Sequence, residues 1–408
     1  MTNTDIILIS LSALIIISYL FNFVAKYIKI PSVILLIATG IGLRFVAGKF
    51  SVQVPNVPIL LNIFGEIGLI LIVLEAALDL DATRKKLPLI SKSILASIFI
   101  IAGTCSLIVL LLHYYKAMPL TTSIIYSIPM GIISSSIAIP SVKWLSERKV
   151  EFIVYESTIS DIIGIMVFNF VIVDEVLTMN SYLQFFINFI IIILISLASS
   201  ALLIFMLNKI SAQIKSFLIF AILTLIYTLA KIFHLPSLLL ILVFGVMLNS
   251  SKYYIKGRLA NVLHLEKMSA VTAELKLLTA ESAFLTRTFF FILFGYTMNV
   301  YSLFNTDVII TGAVIITSIL FVRFIFLSFI SRKNVFPELF IAPRGLVTVV
   351  LFYSIPARYL TPLFDNGILY FIIIVSSLIM MLALMFTKAE YSESSRRVSL
   401  KEEAPVKT

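Results

Sequence analysis

Charge is what this chain has least of. Asp, Glu, Lys and Arg make up 13% of its 408 residues, while 60% are hydrophobic. A soluble domain carries about 25% charged residues. With a mean hydropathy of +1.10, a soluble globular fold is excluded and the chain reads as a polytopic membrane protein. Cysteine is nearly missing too. Cys105 is the only one, so no intramolecular disulfide can form and cysteine usage says nothing about redox compartment. The opening Met1-Thr2-Asn3-Thr4-Asp5 lacks a basic n-region, and no obvious cleavage site follows. The first apolar run is therefore expected to stay as a helix rather than leave as a signal peptide.

What the chain has in quantity is apolar sequence in runs long enough to span a bilayer as helix. About thirteen such runs lie near residues 5–24, 31–48, 58–80, 90–113, 120–141, 152–173, 183–207, 215–232, 235–250, 282–300, 305–330, 337–357 and 365–387. The expected fold class is all-α, with residues 1–387 as one transmembrane domain. Of the 31 Lys and Arg, 23 fall in alternate loops and the C-terminal tail and 5 in the loops of the opposite side; Arg287, Arg323 and Arg344 lie within or at the ends of helices. The positive-inside rule then places the N-terminus outside and the C-terminus in the cytoplasm. Cytoplasmic loops beside anionic lipid account for the net charge of +10 without a nucleic-acid partner.

The longest polar stretch, Asn249 to Ala283, mixes Lys and Glu with Leu and Met at helical spacing. It reads as an amphipathic surface helix leading into the tenth span. Residues 388–408 read as a short disordered cytoplasmic tail. Two spans resist being continuous helix. In the fifth, Ser134-Ser135-Ser136 precedes Pro140; in the twelfth, Pro343-Arg344-Gly345 interrupts an apolar run. Proline removes a helix hydrogen bond and glycine loosens the backbone. Interrupted segments at matching positions of two halves, here about 1–175 and 215–387, point to inverted repeats and to a transport site between them. A pair of ordinary proline kinks is the plainer alternative.

The sixth span carries Glu156-Ser157-Thr158-Ile159-Ser160-Asp161, where lipid would favour hydrocarbon. A charge at the bilayer centre costs roughly 2.5–3.5 kcal/mol on insertion scales. At 1.5 Å per residue, Asp161 lies roughly 15 Å into its helix, near the midplane. Ser157 and Asp161 are four apart and share a face, while Glu156 and Ser160 share another, so the two carboxylates are expected to have different roles. In the third span, Asp79 and Asp81 read as an interfacial cluster with Arg84-Lys85-Lys86. Glu75 is deeper, lacks a basic neighbour in sequence, and is a candidate second acid; Glu66 can reach water on the opposite side. Arg323, inside the eleventh span, needs an internal anion, for which Glu156 is the best candidate, or else snorkels to the cytoplasmic face. Arg344 can neutralise the carbonyl end of a half-helix.

Together these residues resemble the monovalent cation/proton antiporters, particularly the NhaP-type sodium/proton exchangers. Glu156-x-x-x-Ser160-Asp161 is similar to that family's Glu-x-x-x-Asn-Asp signature. Glu75 in Leu-Glu-Ala-Ala-Leu falls where the family has Phe-Glu-Gly-Gly-Leu. Arg323 matches the arginine that pairs with the signature glutamate, and Arg344-Gly345-Leu346 resembles the Leu-Arg-Gly-type stretch of the broken twelfth helix. The resemblance runs over essentially the whole chain, the thirteen-helix count included. It departs at two places: Ser134-Ser135-Ser136 stands where the family has Thr-Asp-Pro, and Ser160 replaces the asparagine. Fewer carboxylates around the ion weaken the hold on a strongly hydrated small cation, so potassium joins sodium as a candidate. The serine stretch also resembles the potassium-efflux branch, which usually adds a cytoplasmic nucleotide-binding domain that the short tail here cannot house. The resemblance further implies a homodimer in which a core bundle moves against a dimerisation bundle, in a bacterial inner membrane. No cofactor beyond the transported ions is expected.

The chemistry can also be read from the residues alone. Taking a carboxylate out of water favours its protonated form, and hard monovalent cations prefer oxygen ligands. Asp161 with Glu75, Ser157 and the freed carbonyls near Ser134 and Ser135 supplies such a set, with proton and cation competing for Asp161. With Glu156 neutralised by Arg323, electroneutral one-for-one exchange is expected. An anion or organic-solute carrier using Arg323 and Arg344 is the rival transport reading. An intramembrane protease is the rival enzyme. It lacks support, because only Asp161 is at midplane, no Gly-x-Gly-Asp occurs, and His113, His234 and His264 lie at helix ends or in loops.

Overall fold

A computed structural model describes residues 3–28, 31–50, 56–80, 86–142, 145–173, 179–209, 216–233, 235, 237–254, 265–331 and 335–387. The expected tail at 388–408 lies outside them, as do Asp81, Arg84 and Lys85. Among the described residues every regular element is helical and no strand occurs. Proline sets several starts: α2 (Ser32–Lys49) follows Pro31, while α3 (Val57–Asp79) and α4 (Leu87–Leu110) carry Pro58 and Pro88 in their first turn. There a missing N–H costs nothing. α4 runs on through a π-helical turn, Leu111–Tyr115. The other long helices are α1 (Asn3–Ile28), α7 (Glu147–Val173), α8 (Met179–Lys209), α9 (Ser216–Ile232), α10 (Ser237–Tyr254), α11 (Leu265–Thr297), α12 (Thr306–Ser331) and α14 (Asn366–Phe386).

Among the described residues, 7 helical segments can cross a membrane by length and composition, and four shorter apolar helices accompany them. The sixth expected span is the unbroken but charge-bearing helix α7, and the twelfth is broken by an irregular stretch. Of the polar lead-in to the tenth span, residues 255–264 lie outside the described ones. From Leu265 it continues as one helix to Thr297, and Thr279 and Ala283 are already buried. Of the interfacial cluster expected at the end of α3, Asp79 pairs with Lys276 of α11 and Lys86 with Glu151 of α7 at 2.5 Å, while its other members lie outside the described residues. Glu66 pairs with Lys231 of α9.

The helices pack as two groups. α11 lies against α2 and α3, and α10 joins α3 to α8 and α9. In the second group α4 lies against α5 (Leu120–Gly131), α7 and α12, and α12 against α14. The first group closes where Gly40 of α2 faces Gly295 of α11. A Cβ on Gly40 would meet the Ile292 carbonyl, and one on Gly295 the Ile37 carbonyl. Small residues allow this approach of backbones, which supports helix association in lipid.

Both expected interruptions are real breaks. The fifth span divides into α5 (Leu120–Gly131) and α6 (Ser135–Ser141), with Ile132 and Ser134 extended between them. The break takes in Ile132 to Ser134 rather than sitting at Pro140, which lies inside α6. The twelfth span becomes a short 3-10 turn, Glu338–Phe340, an irregular stretch, and α13 (Leu346–Tyr353). α13 contacts α3 from one group and α5 and α7 from the other, so it sits between them.

Candidate functional site

Irregular backbone at membrane depth must find its hydrogen bonds in protein, and here the two breaks supply each other. The Ser134 N–H donates to the Pro343 carbonyl at 2.9 Å, and the Ile133 N–H donates to Ser160 Oγ at 3.0 Å. Ser134 Oγ and Ser136 Oγ are 2.7 Å apart. The crossing is tight enough that a Cβ on Gly345 would lie 2.7 Å from both Ser134 Oγ and Ile137 Cδ1. Gly345 is therefore dictated by close approach.

Asp161 points into this crossing. It is 1% exposed. Its Oδ2 accepts the Ser135 N–H at 3.1 Å and the Ser135 hydroxyl. Its Oδ1 is buried with no hydrogen-bond partner among the described residues. An ionised carboxylate has about four acceptor sites, so one whole oxygen of this one is left for something other than a protein donor.

Arg344, fully buried, is held by carbonyls. Its Nε donates to Met130 at 2.7 Å, Nη1 to Ala342 at 2.6 Å and Nη2 to Gly131 at 3.3 Å, while its backbone N–H donates to Ser376 Oγ at 3.1 Å. Met130 and Gly131 end α5, so the guanidinium satisfies the carbonyls that the break orphans and opposes the negative end of that half-helix. Arg358 plays the same part at the end of α7, donating to the Ile172 carbonyl at 3.0 Å.

Glu156 turns away from Asp161 and meets Arg323. The fork is bidentate, Nη1 to Oε1 at 2.6 Å and Nη2 to Oε2 at 2.8 Å. Side-chain exposures are 0% and 1%, so Arg323 does not snorkel. Its Nε also donates to the Glu338 carbonyl at 2.9 Å, and Ser97 Oγ donates to the Glu156 carbonyl at 2.8 Å. α4, α7, α12 and the 3-10 turn of the twelfth span are joined at this one knot.

The remaining expected ligands are less direct. Ser157 donates back to the Ile153 carbonyl of its own helix at 2.7 Å, which leaves only its lone pairs for an ion. Glu75 does not hydrogen-bond Asp161; it faces Arg287 of α11, Oε2 to Nη2 at 3.5 Å. Arg287 is the residue that sequence reasoning passed over. The argument applied to Arg323, that an arginine within a span needs an internal anion, would have found it. Arg287 Nη1 also donates to the Ser136 carbonyl at 3.4 Å. That carbonyl is free because its helical partner four residues on is Pro140, which has no N–H. Thr158, given no role from the sequence, buries a hydroxyl with no hydrogen-bond partner among the described residues.

A membrane-spanning helical protein in which two broken helices cross beside a buried, half-satisfied carboxylate is built as an ion-coupled secondary transporter. The chain belongs to the sodium/hydrogen exchanger family, whose transmembrane profile matches residues 10–388. It is thus an integral membrane cation/proton antiporter and not an enzyme. The fold is similar to that of the sodium proton antiporter MjNhaP1 from Methanocaldococcus jannaschii. The structure of that protein at pH 8 aligns over 98% of this chain and 99% of its own, with a TM-score of 0.65 and 16% identity. A three-dimensional electron-microscopy map of MjNhaP1 aligns over 100% of both chains with the same score and identity. At that identity the likeness speaks for the fold alone. No curated protein matches the sequence.

Proposed function

We propose that the protein exchanges a monovalent cation, sodium or alternatively potassium, for a proton, with the two competing for Asp161. The observation that carries this reading is Asp161 Oδ1, an acid oxygen buried at the crossing of both breaks with no hydrogen-bond partner among the described residues. A proton satisfies that oxygen as a covalent O–H; a desolvated cation satisfies it as a ligand. Further oxygens are at hand in Ser134, Ser135 and the lone pairs of Ser157, with Glu75 as a second acid. Ser135 in place of one carboxylate makes the set less charged, which favours a weakly hydrated cation and keeps potassium beside sodium. Ser160 supports the site by holding the Ile133 N–H, and Glu156–Arg323 is the structural ion pair.

Exchange is electroneutral on this reading. Asp161, Glu156 and Glu75 stand against Arg344, Arg323 and Arg287, and occupation by either ion adds the same single charge to that set. Both arginines that an anion carrier would use are engaged inside the protein, Arg323 by a carboxylate and Arg344 by carbonyls. The N-terminus lies outside and the C-terminus in the cytoplasm of a bacterial inner membrane. The two halves are inverted repeats, and the active unit is a homodimer, as the family resemblance implies.

Proteoliposomes carrying an internal pH dye test the stoichiometry. Moving one net charge through 100 mV is worth about 2.3 kcal/mol, up to roughly fiftyfold in rate. The expected result is a cation-driven pH change whose rate stays within about twofold of its value at zero potential when 100 mV of either sign is imposed. A rate that climbs with potential, with net charge movement, refutes one-for-one exchange.

A further inference from the structure

The two ion pairs of the core are built differently. Glu156–Arg323 is short, bidentate and dry. Glu75–Arg287 is a 3.5 Å contact between side chains 17% and 13% exposed, and the companion bond from Arg287 to the Ser136 carbonyl is 3.4 Å. Both lie beyond the 2.7–3.2 Å usual for N–H···O bonds. The first pair joins helices of one group. The second begins on α3 and α11 of the other group and reaches across to α6. It ends next to Ser135, the residue that holds Asp161 Oδ2. One pair is made to stay closed, and the other can open.

We propose that Arg287 is an affinity-setting latch: an internal cation that holds Glu75 and the Ser136 carbonyl while the ion site is empty, and yields Glu75 when the transported cation arrives at Asp161. The inference rests on the reading of Asp161 as the exchange site and adds to it a regulator from the opposite helix group. Three features support it. Glu75 is the second acid near the site, and its positive neighbour comes from the protein itself. The Ser136 carbonyl is open to Arg287 only because Pro140 follows it. The bond to the Ser136 carbonyl ties α11 to α6 while the contact with Glu75 ties α11 to α3, so an empty carrier is held across the boundary where the helix groups meet, which opposes unproductive crossing. A latch closed for most of the time lowers apparent cation affinity by the fraction of carriers in which Glu75 is free.

The test is the apparent KM and maximal rate for sodium and for potassium in reconstituted vesicles, compared among wild type, Arg287→Gln and Arg287→Lys. Glutamine removes the competing charge and is expected to lower KM about fivefold with the maximal rate changed less than about twofold. Lysine keeps the charge but cannot hold Glu75 and the carbonyl together as a fork does, so its KM should fall between the two, about two- to threefold below wild type. In a Glu75→Gln background, Arg287→Gln should change KM by less than about twofold, because the latch has lost what it holds. A KM for Arg287→Gln equal to or above wild type overturns the proposal, as does an undiminished effect in the Glu75→Gln background. If glutamine prevents insertion, Arg287→Lys decides alone: a KM at or above wild type overturns the latch. Asp161→Asn is assayed beside them. If it transports normally, the exchange-site reading fails; if it is inactive while the Arg287 variants leave KM unmoved, only the latch fails.

Discussion

Asp161→Asn is expected to abolish cation-driven proton movement while the protein inserts and folds as wild type does. Asparagine has the shape of the carboxylate and can still accept the Ser135 N–H that fixes Oδ2 at 3.1 Å, so the crossing keeps its geometry. What goes is the charge. At about 4 Å and an effective permittivity near 20, a unit charge contributes about 4 kcal/mol to holding a cation, roughly three orders of magnitude in affinity. The proton-accepting oxygen goes with it, so neither half of the exchange survives. The check is the initial rate of dye quenching in vesicles holding equal amounts of the two proteins, with thermal denaturation in detergent to show equal folding. Activity above about one per cent of wild type at saturating cation would mean that the charge at Asp161 is not what binds the ion.

Glu156→Gln acts on stability instead. Arg323 is 0% exposed and its fork ends on both Glu156 oxygens, so an amide leaves a buried guanidinium with no anion. Losing one partner of a buried pair costs about 3–5 kcal/mol. The expected outcome is a large loss of thermal stability and of folded protein recovered, and whatever inserts should have a near-normal KM because Asp161 lies on another face. Replacing both members, Glu156→Gln with Arg323→Met, should recover much of the loss, since a buried pair exchanged for uncharged groups is often close to neutral. Recovery stays partial because the Arg323 bond to the Glu338 carbonyl at 2.9 Å goes as well. Wild-type stability for Glu156→Gln alone would show that the pair is dispensable. Melting curves followed by size-exclusion or intrinsic fluorescence decide it.

Much of the fold was legible because lipid imposes one rule on every span. Uncharged runs of the right length mark helices, and departures from that rule, at Glu156, Asp161, Arg323 and Pro343-Arg344-Gly345, mark the core. The distant pairing of Glu156 with Arg323 was legible on the same ground, but that of Glu75 was not. Glu75 and Arg287 lie on different helices, and no local pattern announces their contact. The break of the fifth span falls after Gly131 rather than at Pro140, because the Ile133 and Ser134 N–H groups find better partners in Ser160 and Pro343 than in their own helix. Pro140 acts one step removed, by leaving the Ser136 carbonyl to Arg287. Helical periodicity correctly put Ser157 on the Asp161 face, but periodicity is silent on rotamers. Its hydroxyl hydrogen goes to the Ile153 carbonyl, as serines within helices often do. The lead-in at Leu265 read as a surface helix because its charged residues dominate the local pattern, although Lys276 is satisfied by Asp79 of α3.

The central claim is that one carboxylate serves proton and cation in turn. The most direct measurement is the apparent KM for the transported cation as a function of pH, equal on both sides of the vesicle membrane. Competition at a single site predicts that KM rises as pH falls, approaching about tenfold per unit on the acid side, while the maximal rate at saturating cation stays constant. A KM independent of pH, with the maximal rate falling instead, would place proton and cation on separate groups and contradict the account.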